Sequence, residues 1–375
     1  MTRYIFSLFF LVLLGWNTVL AAGLSISQTA GLIGQSEKTV RDPTGWATDL
    51  LDVLNAHGLS ASKENICSVI AVIDQESNFV ANPAVANLGK ISEAALREKF
   101  DRVPILGRIA LQFLETKPDP HDSYMGRIRK ARTERDLDLT YRSMVADAAQ
   151  QSSLGVVVSS GFLNRQIEGR NEIDTIGSMQ VSVNFAIATS KSRRWLPMSL
   201  DDDYAVRDEL YTRHGGMYYG VLQLLGYETG YNRKLYRFAD YNAGRYSSRN
   251  AAFQMQVSEL SGEALARDGD LLLYDSSGKP RATTSNTEKA LRKLFADMDQ
   301  KKIRNDLMLE KDNRFVQTEI FTRLRAAYLE KTGKKPDFAI PPEIDLKSPK
   351  IRHAMTTRNF AESVDRKYQA CMARK

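Results

Sequence analysis

The apolar segment Val69–Phe79 constrains this chain most, because its hydrophobic face runs into a carboxylate. On a helical period of 3.6 residues, Glu76 falls three residues after Ile73, four after Val72 and seven after Val69. Burying an ionised carboxylate is costly, so such a residue is paired, protonated or functional. A position near the negative C-terminal end of a helix also favours the protonated form. The segment therefore predicts a buried helix with Glu76 as a candidate proton donor.

Two further peptides downstream are unusual. Gly177–Gln180 reads Gly-Ser-Met-Gln and predicts a tight turn, in which glycine permits close backbone approach and Gln180 offers an amide to a ligand. Ala239–Gly244 reads Ala-Asp-Tyr-Asn-Ala-Gly and predicts a helix end capped by Gly244. Taken singly, each is better explained as an ordinary turn or cap, and Glu76-Ser77 as a surface pair at a helix end. Their order in one chain indicates a site.

In this order the three peptides resemble the motifs of the lysozyme-like lytic transglycosylases of the soluble type, which cleave bacterial peptidoglycan. That family carries Glu-Ser at the end of an apolar helix, then a Gly-Leu-Met-Gln turn, then an Ala-x-Tyr-Asn-Ala-Gly segment. The apolar stretch Gly216–Gly226 resembles the family's helix ahead of the last motif. The resemblance covers roughly residues 44–90 and 174–260.

The resemblance implies that Glu76 is the only acid and base. It would cleave the β-1,4 bond between N-acetylmuramic acid and N-acetylglucosamine and leave a 1,6-anhydro product. Tyr241 would hold and tune Glu76, while Gln180 and Asn242 would orient sugar amides and hydroxyls. No cofactor or metal is implied. The other motif residues are implied to hydrogen-bond locally, form the turn and wall the cleft: Ser77, Gly177 and Met179.

Two departures from the family's pattern stand out. Ser178 replaces the usual apolar residue of the turn, which changes local packing and one substrate contact. The stretch between Glu76 and Gly177 is also far longer than is usual, so an insertion at about residues 91–173 lies beside the expected cleft. This insertion is predicted to act as a lid, as a module for an envelope protein partner, or as a block to substrate entry.

Hydrophobic periodicity predicts a mainly α fold with one small β element at most. We expect a lysozyme-like domain over residues 22–262 and a mostly helical extension packed on it over 263–375. Leu271–Tyr274, followed by a Gly-containing turn, is the one clear strand signal. A single helix is expected from Val206 to Leu225. Prolines at 336, 341 and 342 predict a non-helical strap before a last helix.

The first 21 residues predict a cleaved secretory signal peptide. Arg3 precedes the apolar run Ile5–Leu14, and small residues follow up to Ala21. An uncleaved membrane anchor is the competing interpretation. No cysteine stands at the exit, which argues against a lipoprotein, and no later stretch is long and apolar enough to span a bilayer. The expected location is the periplasm.

Charge and cysteine content are consistent with an exported protein. The formal net charge is +7, which suits anionic partners such as cell-wall polymers, and export argues against nucleic acid. Cys67 and Cys371 either pair in an oxidising compartment or remain separate buried thiols. Four scattered histidines show no ligand spacing, so no metal site is expected.

Three other functions fit the same sequence. The first is a catalytically silent peptidoglycan-binding protein, which Ser178 and the insertion favour. The second is a lysozyme-type hydrolase, which needs a second carboxylate such as Glu172 or Asp174. The third is an envelope scaffold that acts through the C-terminal third. The basic run over residues 126–136 is explained either as contact with an anionic polymer or, more simply, as a solvated helix face.

Overall fold

A computed structural model describes residues 23–102, 104–151, 173–275, 278–346 and 355–374. Within these ranges the chain is mainly α, which confirms the predicted fold class. The predicted signal peptide lies outside the described residues. The helices are α1 (Ile26–Ser36), α2 (Pro43–Ala56), α3 (Lys63–Glu76), α4 (Leu88–Asp101), α5 (Pro104–Thr116), α6 (Tyr124–Lys130), α7 (Glu134–Gln151), α8 (Val183–Ser192), α9 (Leu200–Leu210), α10 (Arg213–Leu225), α11 (Lys234–Ala243), α12 (Ser247–Ser261), α13 (Asn286–Leu294), α14 (Gln300–Leu307), α15 (Glu319–Thr332) and α16 (Thr357–Ala373).

The β structure consists of short antiparallel pairs. Their strands have two residues each: β1 (Pro118–Asp119) with β2 (Asp122–Ser123), β3 (Thr175–Ile176) with β4 (Val181–Ser182), and β5 (Asp345–Leu346) with β6 (Met355–Thr356). The strand predicted at Leu271–Tyr274 is reduced to an isolated bridge between Tyr274 and Pro280. No helix within the described ranges combines the length and hydropathy of a membrane span.

The first hydrophobic core contains residues of α1–α3 and α8–α11, and the last helix also belongs to it. Phe360, Val364 and Tyr368 of α16 are buried in this core. The structure also joins Cys67 of α3 to Cys371 of α16 in a disulfide bond. The extension predicted over residues 263–375 is therefore divided, because its final helix completes the core of the preceding domain.

A second core lies in the C-terminal third, and helix α12 contributes residues to it. Phe253 and Val257 of α12 pack with Leu291, Phe315 and Leu324. Arg249, also on α12, is fully buried and donates to the backbone carbonyls of Glu310 and Asp312. Polar as well as apolar side chains of α12 are buried, because this helix lies between the two cores.

The described part of the insertion forms α4–α7 and has a small core of its own around Leu114, Tyr124 and Met125. After α6, backbone contacts hold the chain of the insertion against the segment that follows α3. Thr133 forms a β-bridge with Ala84, and the Val85 amide donates to the Arg132 carbonyl at 2.8 Å. Helix α7 begins directly after this bridge.

Capping side chains explain where the helices begin. Ser62 accepts from the Asn65 amide at the start of α3. Residues Asp201–Asp203 lie in the first turn of α9, near the positive end of its dipole. The single helix predicted from Val206 to Leu225 is wrong, since α9 ends at Leu210 and Thr212 caps a new helix by accepting from Gly215.

Candidate active site

Glu76 is the last residue of α3, and its side chain is half-buried. The two residues that precede it, Asp74 and Gln75, face a different element, the last helix. Asp74 forms an ion pair with Lys367 at 3.1 Å, and Gln75 accepts from the Ser363 hydroxyl at 2.8 Å. The helical period therefore separates Glu76 from the adjacent polar residues, as the sequence predicts.

The Gly177–Gln180 turn connects strands β3 and β4 and packs tightly on the main domain. Gly177 has a φ of +84°, and a Cβ atom there would lie 2.1 Å from the Leu210 carbonyl oxygen, so only glycine fits. Met179 packs on Gly220 of α10, where a Cβ atom would lie 2.4 Å from the Met179 sulfur. This interlocking with α9 and α10 fixes the position of the turn.

Tyr241 links the three motifs. Its hydroxyl donates to the Met179 carbonyl at 2.7 Å, and the side chain is only 5% exposed. Burial and the nearby charge of Glu76 together raise the pKa of Tyr241 well above its ordinary value. The end of α3, the turn and the end of α11 thus meet at one place.

The acceptor of the single Tyr241 hydroxyl proton determines which hydrogen bonds this hydroxyl can form with a carboxyl group. A tyrosine hydroxyl has one proton to donate, and here the Met179 carbonyl receives it. A hydrogen bond between this hydroxyl and Glu76 would therefore have to be donated by a protonated Glu76. The hydroxyl therefore holds the turn through Met179, and the resemblance implies that Tyr241 also holds Glu76.

The Gln180 amide is held by three neighbours. Its nitrogen lies 3.2 Å from the Gly177 carbonyl and 3.4 Å from a carboxylate oxygen of Glu134, while its oxygen accepts from the Thr175 hydroxyl at 3.0 Å. Glu134 is the first residue of α7 in the insertion and is 3% exposed. The insertion therefore reaches the candidate site through a buried carboxylate.

Sequence reasoning missed Glu134. The local signal was Thr133 with Asp136, whose reciprocal hydrogen bonds start α7. That pattern locates a helix start, but it does not reveal the pairing with residue 84 that brings Glu134 to the turn. Of the two carboxylates that were predicted as hydrolase partners, Asp174 is exposed beside β3 and Glu172 lies outside the described residues.

Several predicted contact residues have structural roles here. Met179 is fully buried, so the prediction that it walls the cleft is wrong: it packs the turn on α10 instead. Ser77 is buried, and its hydroxyl donates to the Ile73 carbonyl at 3.2 Å. Ser178 is buried with a hydroxyl that has no partner within the described structure. Asn242 is exposed, and its side-chain oxygen accepts from Thr357 of α16 at 3.0 Å.

Asp240 of the third motif directly precedes Tyr241 and is buried. Its carboxylate accepts from the Tyr231 hydroxyl at 2.7 Å and from the amides of Tyr246 and Ser248 at 2.9 and 2.7 Å. Two of these donors lie at the start of α12, so Asp240 caps that helix from the preceding one. Burial raises the pKa of Asp240 to about 6 despite these hydrogen bonds.

Among the described residues, no group of three or more His, Cys, Asp or Glu side chains is arranged to hold a metal ion. The polar groups assembled at the site are a carboxyl group, a carboxamide and a second, buried carboxylate. This set suits proton transfer and recognition of polar ligands.

Comparison with known proteins places the chain in a family. It belongs to the family described as "Protein of unknown function (DUF1615)", whose model matches residues 39–374. It is 37% identical over 336 residues to "Uncharacterized protein YaiW" of Escherichia coli (strain K12), and the match covers 89% of this chain and 86% of that relative. No solved structure matches. The family model spans the insertion and the last helix together with the three motifs.

Proposed function

We propose that this protein is a peptidoglycan lytic transglycosylase with Glu76 as its single acid and base. The observation that carries the proposal is the position of Tyr241. Its hydroxyl donates to the Met179 carbonyl, and burial together with the nearby charge of Glu76 raises the pKa of Tyr241. This supports the view that Glu76 and the Gly177–Gln180 turn face one site, as the motif resemblance implies.

The reaction needs one carboxyl group because the nucleophile is part of the substrate. Glu76 donates its proton to the glycosidic oxygen as the bond from muramic C1 to that oxygen breaks. The acetamido group of the same sugar stabilises the cationic intermediate. Glu76, now ionised, takes the proton of the muramic 6-hydroxyl, whose oxygen bonds to C1. Intramolecular attack gains from proximity, and no water is consumed.

The position of Glu76 supports its proposed role. Glu76 is half-buried at the C-terminal end of α3, next to the negative end of the helix dipole. Gln180, held by the turn and by Glu134, offers its carboxamide for orienting substrate. Asn242 is exposed and can also contact a sugar.

Digestion of purified sacculi tests the proposal. Wild-type mature protein should release 1,6-anhydro-muropeptides, detected by mass spectrometry, and Glu76→Gln should lower their yield at least about 100-fold. Glu319→Gln is the matched control, because Glu319 is a partly exposed carboxylate of α15 that pairs with Lys302 and lies outside both the candidate site and the motifs. Equal yields from wild type and Glu76→Gln would refute the role of Glu76, and reducing-end products would indicate a hydrolase instead.

A catalytically silent wall-binding protein is the second candidate. The Gln180 carboxamide is already engaged by Thr175, Gly177 and Glu134, which favours a closed site. Such a protein would sediment with sacculi and release no products. Glu134→Ala would not activate such a protein. In an enzyme whose Gln180 is blocked by Glu134, the same change would increase product release.

We also propose that the protein acts in the periplasm on glycan strands. A disulfide between Cys67 and Cys371 requires an oxidising compartment in most organisms. The excess of basic residues suits an anionic polymer.

A further inference from the structure

Two cavities adjoin along α16, on the side of the molecule where the first core meets the C-terminal third. One has a volume of about 550 Å³ and the other about 460 Å³, and both are lined by Arg233 and Asp365. We call them together the α16 trough. Each has the size of a small-ligand site, and such sites occur preferentially where two units of a chain meet.

The α16 trough is basic and partly apolar. The larger cavity has apolar and aromatic lining from α11, α12 and the proline strap: Leu235, Tyr236, Met255, Ile340 and Pro341. Six basic side chains line the trough: Arg233, Lys234, Arg237, Arg267, Arg358 and Arg366. Three acidic side chains line it as well: Glu64, Glu362 and Asp365. The net excess of positive charge suits an anionic ligand.

Three of the arginines are available to such a ligand. Lys234 is paired with Glu64 at 2.7 Å and Arg267 with Glu343 at 3.3 Å. Arg233, Arg358 and Arg366 are exposed, and no carboxylate of the described chain lies within 4.0 Å of their guanidinium nitrogens. A planar guanidinium group matches a carboxylate with two parallel hydrogen bonds.

These features favour a short, extended peptide that carries carboxylates. Its carboxylates would meet the arginines, and its aliphatic groups would lie on the apolar lining. A phosphate polymer would satisfy the charge but would leave the apolar lining uncovered. Ser363 and Lys367 of α16 contact Gln75 and Asp74 at the C-terminal end of α3, and Glu64 in the first turn of α3 lines the trough.

We propose that the α16 trough binds the carboxylate-bearing stem peptides of peptidoglycan. The identity of the peptide rests on the proposed function, since that function supplies glycan strands with such peptides attached. Binding at the trough would hold a strand by its peptide while Glu76 acts on the glycan.

Calorimetric titration tests this on the mature chain with Glu76→Gln, which prevents cleavage. The probes are a disaccharide-tetrapeptide, the same disaccharide without peptide, the free tetrapeptide and an unrelated oligoglutamate. We expect the peptide-bearing probes to bind more tightly than the bare disaccharide. Arg358→Glu with Arg366→Glu should weaken their binding roughly fivefold to tenfold. Arg358→Gln with Arg366→Gln should give a smaller loss in the same direction.

The control is Lys289→Glu with Lys301→Glu, which changes the charge equally on an exposed surface of the second core and should leave binding unchanged. The proposal is overturned if the trough variants bind like the parent, if no peptide-bearing probe binds, or if oligoglutamate binds as tightly as the stem peptide. Cleavage is measured separately on peptide-free strands. If peptide binding is absent but wild-type protein cleaves the strands, this proposal fails and the proposed function stands. If peptides bind but no strand is cleaved, the proposed function fails.

Discussion

Tyr241 shows how one buried hydroxyl can connect segments that are distant in sequence. Its proton is donated to the Met179 carbonyl, so its oxygen can only accept from any further partner. The tyrosine is therefore a positioning residue for the turn. Asn242, next in the motif, is exposed and contacts Thr357, which places the last helix at the edge of the candidate site.

Glu310 gives a residue-scale prediction on stability. Its buried carboxyl group accepts from the Leu271 amide and the Tyr274 hydroxyl, and burial raises its pKa from 4.5 to about 7. An acid with a raised pKa favours folding when protonated. Its stabilisation is complete below pH 4.5 and is lost as pH rises through 7, on the order of 3 kcal/mol.

Glu310→Gln removes this titration. The amide can accept from Leu271 and donate to Tyr274, because a tyrosine hydroxyl also accepts. Urea unfolding at pH 4.5 and pH 8 should show that the variant gains stability relative to wild type as pH rises. A difference between variant and wild type that stays constant over this range would contradict the assignment.

At the scale of the element, a buried ion cluster attaches the insertion to the main domain. Asp138 of α7 is fully buried, and Arg207 of α9 donates to it at 2.6 Å. Arg142 of α7 bridges Asp138 to Asp208 of α9. Loss of the central carboxylate would leave a buried guanidinium without its charge partner.

Asp138→Asn should therefore lower the free energy of unfolding by about 3–5 kcal/mol. Glu98→Gln, which breaks an exposed pair with Arg102, should change it by less than about 1 kcal/mol. Chemical denaturation measures both variants. Similar small effects would mean that the cluster does not hold the insertion in place.

The disulfide gives a second element-scale prediction. It joins α3 to α16 across nearly the whole chain, so it restricts the unfolded ensemble strongly. The double variant Cys67→Ser with Cys371→Ser should lose about 2–5 kcal/mol of stability. The same loss is expected when wild type is unfolded under reducing conditions. Equal stability of oxidised and reduced protein would contradict a structural role for the bond.

Local signals in the sequence predicted the mainly α fold. One missed local cap and several long-range contacts account for the errors. The apolar period over Val69–Glu76 correctly predicted a helix there, and this helix is α3. The Val206–Leu225 helix was wrong because Thr212 was not recognised as a cap. Met179 was misassigned because its burial depends on Gly220, a contact that no local pattern predicts. Glu134 reaches Gln180 only through the pairing of residues 84 and 133.

At the scale of the whole molecule, the candidate site is completed by elements from distant parts of the chain. Helix α3 supplies Glu76, the insertion supplies Glu134, and α16 returns from the C-terminus to contact α3 and Asn242. The family model spans residues 39–374 and so includes all three of these elements. The insertion and last helix are thus parts of the site's framework.

Digestion of sacculi in water enriched in oxygen-18 tests the central claim most directly. If Glu76 directs the muramic 6-hydroxyl onto C1, the products are 1,6-anhydro-muropeptides that carry no label, and Glu76→Gln lowers their yield at least about 100-fold. Labelled reducing-end products would show that water attacks C1 and would indicate that a second carboxylate, such as Glu134, activates this water. Absence of any product from wild-type protein that binds sacculi would contradict the enzymatic account.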